Sequence, residues 1–305
     1  MSNSASSFTG VSSGYTAGTP VPADSPIRDN IADAVRRVRE TTPLAQSFTN
    51  FVTINLVANA QLAAGGTAAM SFLPDDVIET AKIAGANYIN VGTLLPFYKD
   101  ALPEIAQRLD PVAAGIGRTR TAILQAFKAA PPTMIRANAS EVIALANMWG
   151  LNTETVGDAS EHRPAGVESV DGVESATGAA VALAQYLTEQ HAKHSSHDAS
   201  TRCAVAVSGI ADLVTDGETV YRLPGGSAMM TKIIGAGCSL GGVAATYLAV
   251  SDPLTAALSA SLLYNRAGEV ADTTSHGPGS FQVAFLDALW NVTAEQVAES
   301  EILVQ

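Results

Sequence analysis

From Arg28 onward, short apolar runs alternate with stretches of helical periodicity, and this alternation constrains the fold more than any single residue does. Ile31, Ala34, Val35 and Val38 recur at helical spacing until Thr42-Pro43 ends the run. Leu44 to Phe48 then reads as a strand. Asn50 can cap a helix carrying Val52, Leu56, Val57, Ala60 and Ala63, closed by Gly65-Gly66. Residues 67–72 read as a buried strand, and Pro74-Asp75-Asp76 opens a helix with proline in its first turn and two carboxylates at its positive end. Further strands are expected at 87–91, 133–135, 203–207 and 212–215, with a hairpin turn at Asp216-Gly217 returning through 219–223. A helix is expected over 176–189, flanked by polar surface loops at 152–176 and 190–202. Strands alternating with helices imply βαβ units, a mostly parallel central sheet and helices on both faces. Ligands bind such sheets beyond the carboxyl ends of the strands, so Asn50, Met70, Gly92, Asp110, Arg136, Ser208 and the loop before Cys238 should share one rim.

Composition narrows the partners. The chain of 305 residues carries 17 Lys and Arg against 29 Asp and Glu, a net charge of −12. So acidic a chain is poorly suited to nucleic acid or an anionic membrane surface, both of which reward a basic stripe. Two cysteines, Cys203 and Cys238, make no disulfide framework and suit a reducing compartment. Residues 1–26 are rich in Ser, Thr, Gly, Ala and Pro and have neither the basic start of a secretory signal nor the arginines of a transit peptide. They read as a disordered tail ahead of one domain over 27–305, and a cytoplasmic location is expected. The longest apolar stretches are interrupted by Asn, Gln, Gly or Ser, so no membrane span is expected.

The most informative segment runs from Thr231-Lys232 through Gly235-Ala236-Gly237-Cys238 into an Ala- and Leu-rich stretch. A Gly-x-Gly turn feeding a helix leaves backbone N–H groups pointing outward, where the helix dipole favours an anion. The Walker-type spacing is absent, so the turn alone can equally be a plain helix start. Cys238 sharpens it, because a thiol in the first turn of a helix is stabilised as thiolate. Asp110 stands where a strand should end. Asn138-Ala139-Ser140-Glu141 follows Met134-Ile135-Arg136 and either caps a helix or, with Asp110, supplies oxygen ligands for Mg²⁺ while Arg136 meets phosphate. Together these pieces suggest phosphoryl transfer.

Several motifs fall in one order: Pro43-Leu44 with Thr49-Asn50, Asp110-Pro111-Val112 with Gly115, Arg136 with Asn138-Ala139-Ser140-Glu141, Thr231-Lys232 through Cys238, and Gly277-Pro278-Gly279-Ser280-Phe281-Gln282 with Phe285-Leu286-Asp287. Over about residues 28–295 the chain resembles the hydroxyethylthiazole kinases of the ribokinase-like superfamily. The resemblance implies ATP- and Mg²⁺-dependent phosphorylation of the hydroxyl of 4-methyl-5-(2-hydroxyethyl)thiazole in thiamine salvage, in a homotrimer with pockets between subunits. It places Cys238 where the superfamily carries its usual catalytic Asp, to deprotonate or orient the hydroxyl. Gly235, Ala236 and Gly237 would cradle the phosphoryl group. Met70, Gly235 and Asn50 would face the thiazole, Arg136 and Ser208 the nucleotide, and Asp110 and Glu141 the metal.

The chain also departs from that pattern. Gln46-Ser47-Phe48 stands where the family has His-Asn-Ile, and Val207-Ser208-Gly209 replaces Val-Thr-Gly while keeping a hydroxyl. Between Thr93 and Asp110 there are 16 residues for a loop, a helix and a strand, where the family is longer. Two other readings follow. One is a nucleotide-dependent NAD(P)H-hydrate dehydratase, a branch that keeps Asp after Gly-x-Gly, so that Cys238 argues against it; the other is a degenerate thiazole- or nucleotide-binding protein. His191, His194 and His197 with Asp198 do not share one helix face and read as a solvated loop rather than a metal site.

Overall fold

The computed structural model describes residues 18–92, 118–151, 172–194 and 201–305. Helix α1 (Pro26–Thr41) buries the expected stripe of Ile31, Ala34, Val35 and Val38. It ends where Thr42 turns left-handed, at φ 44°, ahead of Pro43. Strand β2 (Leu44–Phe48) is followed by α2 (Ile54–Ala63), β3 (Thr67–Ala69), α3 (Pro74–Ala81) and β4 (Ala86–Ile89). β2 is central and parallel to both neighbours, with Gln46 beside Ala69 and Asn87. β3 is shorter than the stretch expected at 67–72 and is not buried. Ser71 ends it, its hydroxyl accepting from Leu73 N–H and donating to Asp76, a local bond that competes with the ladder.

The second sheet begins after α4 (Arg118–Ala129) with β5 (Met134–Asn138) and α5 (Ala139–Trp149). A 3₁₀ turn (Val173–Ala176) leads into α6 (Thr177–His194), which runs five residues past its expected end at Glu189. Thr188 holds that extension by accepting from Cys203 N–H, and the His191 ring lies 2.9 Å from the carbonyl of Pro131. Then come β6 (Ala204–Ser208), β7 (Ala211–Thr215) and β8 (Val220–Pro224). The chain finishes with α7 (Ala236–Leu248), α8 (Pro253–Thr274), α9 (Pro278–Asn291), α10 (Ala294–Ala298) and β9 (Leu303–Val304).

With β1 (Thr19–Pro20) included, the strand order is β1-β9-β8-β7-β6-β5. β5 and β6 are parallel, whereas every other pairing in that sheet is antiparallel, so the sheet is mixed rather than mostly parallel. The short links 209–210 and 216–219 dictate this, since tight turns join antiparallel strands and parallel ones need a crossover. Within 18–26, part of the expected tail, Thr19 and Pro20 pair with Val304 and Leu303, and Val21 is buried. Alternation along β6 and β7 divides the core. Val205, Val207 and Leu213 meet α5 and α6, while Ala204, Ala206 and Val214 belong to the face covered by α8.

Helix α7 lies very close to its neighbours. A Cβ at Gly241 would come within 2.5 Å of the Tyr88 ring on β4, and one at Gly242 within 2.8 Å of Val57 on α2. Two glycines thereby let the helix start sit against the ends of β2 and β4.

Candidate active site

Helix α7 is preceded by its N-cap residue Gly235, whose φ of 91° only glycine adopts freely. There is also no room for a side chain, because a Cβ would stand 2.9 Å from Thr53. The first N–H to find an acceptor within the helix is that of Ser239, bonded to Gly235 O at 2.8 Å. The N–H groups of Ala236, Gly237 and Cys238 precede it and have no partner inside the helix. Two of these, Ala236 and Gly237, belong to the expected cradle of Gly235, Ala236 and Gly237; Gly235 is the N-cap residue, and Cys238 was expected to act through its sulfur.

Cys238 is partly exposed at the third position of this helix. Its sulfur lies 3.9 Å from Nδ2 of Asn50, which is buried. Asn50 does not cap α2 directly: its Oδ1 accepts from Val52 and Thr53 N–H, and Thr53 is the N-cap residue. That turn fixes the amide so that its nitrogen faces the sulfur. Gly92 completes this edge, since a Cβ there would be 3.8 Å from Asn50 Nδ2. Met70 lies just past the end of β3, partly buried against the core that includes Leu240.

Arg136 joins this edge to the other sheet. Its Nη1 donates to Gly237 O at 3.0 Å and its Nη2 donates to the Ser208 hydroxyl. Its Nε is buried and has no partner among the described residues. Glu141 is drawn into a capping box, accepting from Asn138 N–H at 2.9 Å while Asn138 Oδ1 accepts from Glu141 N–H. The capping role is therefore real. Burial pushes the Glu141 carboxyl up from its ordinary range, with the Asn138 N–H and the charges of Arg136 and Arg120 opposing that shift. Asp110, the other expected metal neighbour, lies outside the described residues, as do His197 and Asp198. Among the described residues no group of three or more His, Cys, Asp or Glu side chains converges on a metal position.

Some participants were not foreseen from the sequence. Arg120 donates to the carbonyls of Val91 and Gly92, holding the exit of β4. Asn90 does the same from within, accepting from Gly92 N–H and donating to Thr49. Tyr88 lies beneath the helix start, its hydroxyl pushed well up by burial and by Cys238, with the charge of Arg136 opposing. Asn90 had a signal, a polar side chain at a strand end as with Asn50; Arg120 had none.

A mixed α/β sheet flanked by helices, with a helix N-terminus facing an arginine across the strand ends, is the arrangement of a ribokinase-like small-molecule kinase. The pyridoxal kinase of Staphylococcus aureus shares this fold at 12% identity, with a TM-score of 0.52 over 87% of this chain and 98% of that one. The hydroxyethylthiazole kinase protein of Pyrococcus horikoshii OT3 is nearer, at 25% identity and a TM-score of 0.75 over 91% and 99% of the two chains. The model of the hydroxyethylthiazole kinase family matches residues 35–295, and the chain belongs to that family. A hydroxyethylthiazole kinase of Bifidobacterium longum (strain NCC 2705) is 97% identical over all of both chains. That alignment spans 314 positions against 305 residues here, so the relative carries residues this chain lacks.

Proposed function

We propose that the chain transfers the terminal phosphoryl group of ATP to the hydroxyl of 4-methyl-5-(2-hydroxyethyl)thiazole, releasing the phosphate ester and ADP in thiamine salvage. Membership of the family supports the reaction. The observation that supports this reading of the site is the link from the helix start that carries Cys238, through Gly237 O and Arg136, to the Ser208 hydroxyl.

In this reading the N–H groups of Gly235, Ala236 and Gly237, joined by that of Cys238, receive the transferring group, where fixed donors are worth most because they need no reorganisation. The Cys238 sulfur takes or orients the proton of the attacking hydroxyl, and Asn50 holds that sulfur in place. Met70 and Gly235 bound the thiazole. Arg136 and Ser208 bind the phosphates of ATP. Mg²⁺ fits the donor set through Glu141, since the ion keeps several waters and needs one or two carboxylates besides phosphate. Asp110 is the second carboxylate in this proposal. When bound, the ion neutralises charge on the phosphates.

A homotrimer with shared pockets is supported by apolar residues around the rim: Phe51, Val52, Leu73 and Ile234 are all at least half exposed. A cytoplasmic location accords with a bacterial kinase, and no described helix is long and apolar enough to cross a membrane.

Release of ADP, coupled to a spectroscopic readout and measured with and without the thiazole alcohol, tests the reaction. Stimulation by the alcohol is expected; equal rates would overturn it. A second reading, binding without turnover, is favoured by the 16 residues between Thr93 and Asp110, few for a helix and a strand. Calorimetric binding of the alcohol and ATP with no ester formed would select it.

A further inference from the structure

Strands β6 and β7 turn at Ser208-Gly209-Ile210, and this turn is held from two sides. Asp212 Oδ1 accepts from Gly209 N–H at 2.9 Å. On the other side a Cβ at Gly209 would lie 2.0 Å from the Val173 side chain, so the turn backbone rests directly on Val173. The register that pairs Val207 with Leu213 brings Ser208 and Asp212 across from each other. Both lie two residues beyond Ala206 and Val214, which face α8, so Ser208 and Asp212 share that face. Arg136 pairs with Ala206 in the parallel ladder and projects from the same face, donating to Ser208.

We propose that Asp212 is a positioning residue for the nucleotide side of the site, holding the Ser208-Gly209 turn and orienting Arg136 toward the phosphates. The proposal rests on the kinase reading for the identity of the nucleotide. Asp212 touches neither reacting group; it acts through Ser208 and Arg136. Its carboxyl is pushed up to about 6 by burial, with the Gly209 N–H and the charge of Arg136 opposing. β5 contributes Arg136, and Leu223 stands opposite on β8. On α8, Asn265 donates to Leu223 O, Arg266 and Glu269 pair with each other, and Tyr264 is buried. On the 3₁₀ turn Glu174 pairs with Arg222.

The test is calorimetric binding of a non-hydrolysable ATP analogue and, separately, of the thiazole alcohol to the full chain. Asp212→Ala should raise the analogue Kd about fivefold, the worth of one lost hydrogen bond, and leave the alcohol Kd within about twofold. Asp212→Asn keeps an acceptor for Gly209 N–H but no charge, and should give a rise of about threefold at pH 8. The ratio of the Asn variant to the wild type should fall toward one at pH 5, where the carboxyl is protonated; the analogue's own titration cancels in that ratio. A ratio that does not change with pH, an Ala variant that binds both ligands equally weakly, or a wild-type chain that does not bind the analogue would each overturn the proposal. Should the Ala variant not fold, the pH course of the Asn variant decides alone. Because binding is read without turnover, failure of the kinase reading shows separately, as absence of alcohol-stimulated ADP release.

Discussion

The side-chain amide nitrogen of Asn50 lies 3.9 Å from the sulfur of Cys238. The two residues come from different halves of the chain, and the contact brings the loop after β2 to the start of α7. Asn50 is itself fixed by the backbone N–H groups of Val52 and Thr53. Cys238→Ala is therefore expected to lower kcat by about 100-fold while moving the alcohol KM by less than about threefold, since proton handling grows toward the transition state. Steady-state kinetics check this, and unchanged turnover would remove the sulfur from the mechanism.

Gly235 carries two constraints at once, a left-handed backbone and contact with Thr53. Gly235→Ala should cost about 1–3 kcal/mol of stability, seen as a lowered melting temperature. A melting curve matching the wild type would show that the helix start has slack.

Glu141 has a capping role and a proposed metal role, and the two separate in Glu141→Gln. Glutamine serves a capping box nearly as well, so stability should stay within about 0.5 kcal/mol. Activity at limiting Mg²⁺ should fall, and raising Mg²⁺ should recover part of it. Activity independent of Mg²⁺ concentration in both proteins would leave Glu141 as a cap alone.

The raised Asp212 carboxyl has a consequence for stability with a definite sign. A carboxyl whose folded pKa lies above its unfolded value binds more protons when folded, so its favourable contribution is lost as pH rises through about 6. Asp212→Asn should thus gain on the wild type by about 1 kcal/mol between pH 4.5 and pH 7.5 in chemical denaturation. A constant difference across that range would refute it.

Much of this architecture was legible because local chemistry and tertiary structure agree. Thr42-Pro43 ends α1, Pro74 starts α3, and Asn138 with Glu141 forms the capping box that their spacing announces. Gly-x-Gly before Cys238 is a helix start with free donors, as its composition implied. What stayed hidden depends on chain crossings. The Gly209-Ile210 turn reverses β7 without a strong turn signature, which is why the sheet is mixed. Arg120 acts on Val91 and Gly92, and Tyr88 on Gly241, partners set by packing alone. α6 continues to His194 because Thr188 and His191 find tertiary partners that outweigh the weak helix formers after it.

The flush seating of α7 on Tyr88 through Gly241 has one more implication. A helix seated this closely on a buried ring has little room to tilt, so the donors at its tip are held in advance of any ligand. A methyl group at 241 would act as a shim, tipping the helix start away from Asn50 and blunting catalysis from three residues away without touching either substrate.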